Sequence, residues 1–254
     1  GQLVLAARTR LRRALIGIVD WRAAELERLG VDVRLNVYAE AAEVLAEQSD
    51  LVFVATGGIP DFGPVAGSDL CLSVSDALGN PMQIADEVLI YDATGRHPAP
   101  SAAAEIASAG KRVTFVARDP SVAPEMEHHS SITYRKALAE RDVRVLLEYE
   151  LVSVSVREGR REVVLRHLLT GREMLETHAQ VIVEHGTVPV NDLFAELRPL
   201  SANDGATSVE SLLGAAPLRA RPPAGFELHR LGDAVSSRSV HAAMLDALRL
   251  AVQF

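Results

Sequence analysis

The chain has one cysteine, Cys71, among 254 residues. A lone cysteine cannot close an internal disulfide, and it cannot build a cysteine-ligated metal cluster from this chain alone. Positive charge is also in short supply. Lys and Arg number 26 against 34 Asp and Glu, a formal net charge of -8. An acidic chain is repelled by a phosphate backbone, so nucleic acid is not expected as a partner. No apolar run approaches the roughly 18 residues that read as a membrane-spanning helix, and no membrane partner is expected. Arg8, Arg10, Arg12 and Arg13 are not followed by the apolar block and cleavage site of a secretory signal. These gaps lead us to expect a cytoplasmic protein. The chain opens at Gly1 rather than at a start methionine, directly in a short apolar stretch from Leu3 to Ala7. It is expected to be a piece of something longer.

What is present fits an ordinary globular composition, with length for one large domain or two smaller ones. Trp21 to Leu29 reads as an amphipathic helix closed by Gly30. Val31 to Leu35 alternates at period two and reads as a half-buried strand. Ala41 to Glu47 is a short helix. Leu51 to Ala55 is a continuous apolar run ending in Thr56-Gly57-Gly58, the pattern of a central parallel strand covered on both faces. After Gly79-Asn80-Pro81, Val88 to Tyr91 reads as a buried strand, Ser101 to Ser108 as an alanine-rich helix closed by Gly110, and Val113 to Ala117 as the next strand. This βαβ unit has the size of a mononucleotide-binding half. Ile132 to Arg141 is a further helix and Val143 to Leu147 a further strand. Leu151 to Val156, Val163 to Leu168 and Glu173 to His178 look like an antiparallel meander. Val181 to Val183 is again a buried strand. Residues 199–224 are loop-rich, with Pro199, Pro217, Pro222 and Pro223. The end reads as a strand from Phe226 to Leu231, a Gly232-Asp233 turn, and a helix from Val240 to Leu250. The alternation of strands and helices points to an α/β fold with a parallel sheet.

Three pieces together form the candidate site. Val52 to Gly58 ends a buried strand in small residues, Val181 to Thr187 does the same, and Leu231-Gly232-Asp233-Ala234 joins a strand to a helix. Glycines at strand ends let a bulky cofactor approach the backbone. A helix beyond Asp233 would aim its first N–H groups at a phosphate. The Asp233 carboxylate could accept a hydrogen bond from a cofactor hydroxyl.

Thr56-Gly57-Gly58, the Val181–Thr187 strand, Phe226 to Ala234 and Val240 to Ala247 resemble the C-terminal half of the trimethylamine dehydrogenase and 2,4-dienoyl-CoA reductase family, and the resemblance covers nearly the whole chain. Val183 to Leu193 resembles the branch of dimethylglycine and N-methylproline demethylases. The resemblance implies a preceding barrel that carries FMN and a 4Fe-4S cluster. It implies next a Rossmann-like, glutathione-reductase-like nested arrangement. Residues 1–82 and 181–254 would form an FAD- or ADP-binding domain, and residues 83–180 an inserted NAD(P)-binding-like domain. Ala55, Thr56, Gly57, Gly58, Gly186 and Thr187 would line the dinucleotide. Gly232, Asp233 and Ala234 would hold its ribityl and phosphate region, with His241 near the cofactor edge. The implied activity is oxidation of an N-methyl amine at the barrel FMN, giving an imine that hydrolyses to formaldehyde and the demethylated amine. The implied partners are the upstream barrel or a separate subunit, a second copy of the chain, and an electron-transfer flavoprotein as acceptor. An NAD(P)H-fed enoate or dienoyl reductase, and a non-catalytic nucleotide-binding scaffold, are the alternatives.

Two departures from the family pattern stand out. The first strand, Gly-x-Gly-x-x-Gly loop and helix of the outer domain are expected before Gly1. After Tyr91 a binding insert would show three spaced glycines, whereas Asp92-Ala93-Thr94-Gly95-Arg96-His97-Pro98-Ala99-Pro100 keeps one. Pro98 and Pro100 donate no N–H. Ala117 and Arg118 stand where an acidic residue would hold a ribose. The insert therefore reads as a structural relic. His128-His129 reads as a solvated loop rather than a metal site, and His185 and His241 read as satisfied histidines near the cofactor edge.

Overall fold

In the computed structural model of the chain, residues 1–208 and 225–252 are described. The elements in chain order are α1 (Gln2–Ala6), a 3-10 turn at Arg10–Leu15, α2 (Ile16–Arg28), α3 (Ala41–Ala46), β1 (Leu51–Val54), β2 (Gly58–Pro60), β3 (Leu72–Ser73) and α4 (Val74–Gly79). Then follow β4 (Glu87–Asp92), α5 (Pro98–Ser108), β5 (Arg112–Ala117), α6 (His128–Ala139), β6 (Arg144–Leu146), β7 (Tyr149–Arg157), β8 (Arg160–His167), β9 (Glu173–His178) and β10 (Gln180–Glu184). The last are β11 (Thr187–Pro189), α7 (Asp192–Leu197), β12 (Glu227–Arg230) and α8 (Val240–Ala251). They belong to two compact units. One is Gly1–Arg28 with Pro60–Gly186, the other Leu29–Ile59 with Thr187–Phe254.

The first unit is built on a five-stranded sheet in the order β3-β10-β4-β5-β6, parallel throughout. Side chains alternate across each strand, and both faces are covered. Val88 and Ile90 of β4 point into a cluster with α4, α5 and α6. Leu89 and Tyr91 point the other way, onto the antiparallel meander β7-β8-β9 through Leu151, Val154, Val163 and Leu165. Two covered faces explain why β4, β5 and β10 are apolar almost without interruption. The alanines of α5 serve close approach, for Ala99, Ala102 and Ala103 are all fully buried. This helix starts at Pro98, earlier than its alanine run suggests. Proline is tolerated in a first turn, where its missing N–H has no partner to lose. Gly110, at φ +82, closes it.

The second unit holds the parallel pair β1-β12, in register from Leu51↔Glu227 to Val54↔Arg230. Val54, Phe194, Leu197, Phe226 and Leu228 form its core. Two expectations are corrected here. Among the described residues β1 pairs only with β12, where an expected central strand has both faces covered, and Phe53 is 36% exposed. Residues 31–35 form no strand. Val31, Val33, Leu35 and Val37 are exposed, at 48% to 76%, on a segment that no strand accompanies among the described residues. Alternation prescribes a strand only where a neighbour supplies the ladder. Elsewhere, His128 and His129 open α6 instead of lying in a loop. Pro199 lies in a 3-10 turn at Arg198–Leu200, and Pro217, Pro222 and Pro223 lie outside the described residues.

Candidate functional site

Parallel strands deliver their carboxyl ends to one edge, and β1 and β12 do so in the second unit. The Leu231 N–H donates to the Val54 carbonyl at 3.1 Å, which carries the pairing one step further. Ala55–Gly58 and Leu231–Ala234 therefore emerge side by side. Thr56 Oγ1 donates to the Val190 carbonyl at 2.7 Å, and the Val190 N–H donates to Gly57 O at 3.0 Å. A Cβ on Gly58 would lie 2.8 Å from Thr187 Cβ and 2.9 Å from Val188 O, so Gly58 is glycine because β11 runs against it. Gly57 differs. It sits at φ +75, and a Cβ there would meet open space.

Gly232 has φ +62, and a Cβ there would come within 3.2 Å of Ala243 in α8. Asp233 Oδ1 accepts from the Arg238 N–H at 3.1 Å, and its Oδ2 lies 3.5 Å from Thr187 Oγ1. Ser237 Oγ accepts from the Thr187 N–H at 3.2 Å. Ala234 is buried and His241 is exposed in the first turn of α8. The helix expected from Val240 begins there, after a 3-10 turn at Gly232–Ala234, with Ser239 as its N-cap. Ala55, Thr56, Gly57, Gly58, Thr187, Gly232, Asp233 and Ala234 thus belong to one corner of this unit. Gly186 is the last residue of the other unit, where its carbonyl accepts from Asp61 N–H at 3.0 Å.

A second constellation lies in the first unit, at the carboxyl ends of β4 and β10. Asp92 is fully buried, and its Oδ1 accepts from Thr94 N at 2.9 Å, Thr94 Oγ1 at 3.0 Å and Gly95 N at 3.0 Å. Its Oδ2 is buried with no hydrogen-bond partner. Burial pushes the Asp92 carboxyl up to about 6, against those hydrogen bonds. Its register partner Glu184 accepts from Gly186 N–H at 2.9 Å. Burial pushes Glu184 up to about 7, and the Asp92 charge adds to this. Gly95, at φ +64, is packed rather than open, since a Cβ would meet Asp119 Oδ2 at 2.7 Å. His185 packs its ring 5.4 Å from Tyr91, burial lowers its pKa, and its Nε2 is buried without a hydrogen bond. The sequence reading passed over Glu184 as part of a strand. The signal was there: an acidic residue closes each of two runs, Val-Leu-Ile-Tyr-Asp and Val-Ile-Val-Glu, that are otherwise apolar.

Among the described residues no group of three or more His, Cys, Asp or Glu side chains is placed to hold a metal ion, and no helix is long and apolar enough to cross a membrane.

No protein-family model matches the chain. It is 41% identical, over 98% of its length, to a multifunctional alkene reductase/demethylase of Caballeronia cordobensis. It is 37% identical, again over 98% of its length, to a protein of Rhizobium meliloti named "Probable N-methylproline demethylase". Over nearly its whole length the chain is similar to these members of the trimethylamine dehydrogenase and 2,4-dienoyl-CoA reductase family. It spans 38% and 37% of the lengths of these two relatives. Among solved structures, the 6-hydroxypseudooxynicotine amine oxidase of Pseudomonas geniculata superposes with TM-score 0.79 at 21% identity, over 100% of this chain and 36% of that one. The thioredoxin reductase of T. acidophilum superposes with TM-score 0.57 at 15% identity, over 80% of this chain and 64% of that one. Identities this low speak for the fold alone. The fold is thus α/β with a parallel sheet, of the kind found in thioredoxin reductase.

Proposed function

We propose that the chain is the nucleotide-holding part of an FMN- and iron–sulfur-dependent oxidoreductase that removes a methyl group oxidatively from a small N-methylated amine. The names of both relatives include demethylase. The observation that carries the direction of electron flow is the closed turn after β4. In a mononucleotide-binding fold the N–H groups of this turn meet a pyrophosphate. Here the Thr94 and Gly95 N–H groups are taken by Asp92, and Pro98 and Pro100 have none. Asp92 and Glu184 would also face a diphosphate with like charge when ionised. These features support a reading in which NAD(P)H does not feed the enzyme and electrons leave through an acceptor such as an electron-transfer flavoprotein.

In this reading the FAD- or ADP-binding-like domain, expected at 1–82 and 181–254, would be confined to the unit of Leu29–Ile59 and Thr187–Phe254, and the degenerate insert, expected at 83–180, would extend to Gly1–Arg28 and Pro60–Gly186. The open side of Gly57 fits a bound dinucleotide, which Gly57, Thr187 and the Gly232–Ala234 turn would hold. FMN and the 4Fe-4S cluster would reside in the barrel, outside residues 1–254, and supply the redox chemistry. The exposed alternation of Val31, Val33, Leu35 and Val37 supports pairing with a strand from outside these residues, the first βαβ unit of the same domain.

The test uses the full-length protein with N-methylproline, dimethylglycine and sarcosine, a dye as electron acceptor, and a formaldehyde assay. One formaldehyde per two electrons is the expected result, with no oxidation of NADH when amine is absent. The name of the first relative also includes alkene reductase. NADH-dependent reduction of an activated alkene faster than any amine oxidation would replace our reading with that one.

A further inference from the structure

In the unit of residues 1–28 and 60–186, a cavity of about 390 Å³ opens between the Arg10–Leu15 turn and the start of α6. That volume lies in the range of small-molecule sites, about 300–1,000 Å³. One wall is apolar, made by Leu11, Ala14 and Leu15. The facing wall carries hydrogen-bond donors. His97 Nδ1 lies 2.9 Å from the hydroxyl of the buried Tyr134. Burial and the charge of Arg12 hold His97 down to about 4, so its ring is neutral at pH 7. With Tyr134 donating to Nδ1, the other ring nitrogen carries the proton and is a donor. Arg12 lines the same cavity as His97, and its guanidinium meets no acceptor among the described residues.

His129, in the first turn of α6, lines the cavity. Glu127 is the N-cap of that helix; its side chain makes no cap hydrogen bond and does not line the cavity. The two aliphatic hydroxyls that line the cavity have their protons engaged elsewhere, so neither donates to a ligand. Ser130 Oγ donates to Glu127 at 3.4 Å, and Thr133 Oγ1 donates to the His129 carbonyl at 2.7 Å. Glu127, on the solvent side, is the carboxylate whose charge reaches His97.

A single arginine and a neutral ring N–H beside an apolar wall suit a molecule with both an anionic and an apolar part. We propose that this cavity binds a small organic anion, with its charged head on Arg12 and the first turn of α6 and its apolar body against Leu11, Ala14 and Leu15. An inorganic anion alone would leave the apolar wall uncovered. The site is separate from both constellations described above, and it stands whether or not the demethylase reading holds.

Calorimetry on the full-length protein tests it, with phenyl phosphate, benzoate, inorganic phosphate and benzylammonium as probes. At least one aromatic anion is expected to saturate one site per chain, about tenfold or more tighter than inorganic phosphate, and benzylammonium not to bind. The preference between phenyl phosphate and benzoate then identifies the head group. Arg12→Gln is expected to weaken binding about tenfold or more, the usual loss for a charge-assisted hydrogen bond. Arg13→Gln, one residue away and outside the cavity lining, should leave it unchanged. Ala14→Trp fills the cavity and should abolish binding without lowering the thermal midpoint. No saturable binding of either aromatic anion, equal affinities of Arg12→Gln and Arg13→Gln, or competition by benzylammonium would overturn the proposal.

Discussion

Asp92 and Glu184 are register partners, the last residues of the adjacent parallel strands β4 and β10. They stand where the strand order reverses, with β5 and β6 to one side of β4 and β10 and β3 to the other. Open α/β sheets bind ligands in the crevice at such a point. Here two acidic side chains, both held above the usual carboxylate range by burial, occupy it.

Glu184 gives a pH prediction. Its folded pKa is raised to about 7, so between the ordinary carboxyl range and neutrality the folded chain holds a proton that the unfolded chain has released. The associated stability is full below about pH 4 and is lost as pH rises through about 7. Glu184→Gln keeps an acceptor for the Gly186 N–H and removes the titration. It should therefore melt above the parent at pH 8, by an amount on the order of 1–3 kcal/mol, and match it below about pH 4. Thermal melts across that range decide it, and a pH-independent difference would rule out the ionisation as its cause.

Asp92 acts as an acceptor and its pKa is raised to about 6, so at pH 7 Asp92→Asn, which keeps the acceptor and removes the ionisation, should be at least as stable as the parent. Asp92→Ala, which leaves the Thr94 and Gly95 N–H groups without their partner, should lose about 1–3 kcal/mol. Urea unfolding at pH 7 measures both. Titration of the parent with NADH and NADPH should show no binding in the low micromolar range.

Gly57 and Gly58 are neighbours with opposite expectations. Gly58→Ala drives a Cβ against Thr187 and a backbone carbonyl, and should destabilise by about 2 kcal/mol or more. Gly57→Ala meets open space and carries only the strain of a positive φ, about 1 kcal/mol. In the full-length protein the order should invert for bound nucleotide, with Gly57→Ala losing more of it. Melting curves and nucleotide released on heat denaturation give the two readouts.

For Asp233 the structure adds a control. Its carboxylate holds the Arg238 N–H, so Asp233→Ala both unties the turn and removes a charge. Asp233→Asn can keep the turn. If the charge anchors a cofactor hydroxyl, both variants should weaken nucleotide retention, by roughly 1–3 kcal/mol for Asp233→Ala. Normal retention by Asp233→Asn would assign the effect to the turn alone.

The first unit was largely legible in the sequence. Runs such as Val88 to Tyr91 and Val113 to Ala117 are apolar on both faces, and only a covered parallel strand explains that. The meander showed itself by alternation around Thr170-Gly171. The second unit was less legible, because Val31 to Leu35 and Leu51 to Ala55 carry strand patterns whose partners the described residues supply only in part. Of the site, Thr56, Gly58 and Asp233 were visible as types but not as contacts. Nothing in a Gly-Gly pair tells which glycine faces a neighbour and which faces open space. Asp92 and Glu184 were hidden because a polar residue ending a strand looks like the start of a loop.

The order of strands in the first unit has a consequence for the nascent chain. β10 lies between β3 and β4, yet it follows the whole meander in sequence. While residues 93–179 are being synthesised, one side of β4 has no partner, and Val88 to Tyr91 offer an apolar ribbon to any strand nearby. In the second unit β1 waits longer still, for β12. Pairings so distant along the chain form slowly and late. Translation itself therefore sets a window in which this polypeptide is vulnerable to the wrong neighbour, and a trigger-factor-like holdase at the ribosome exit would shield that interval.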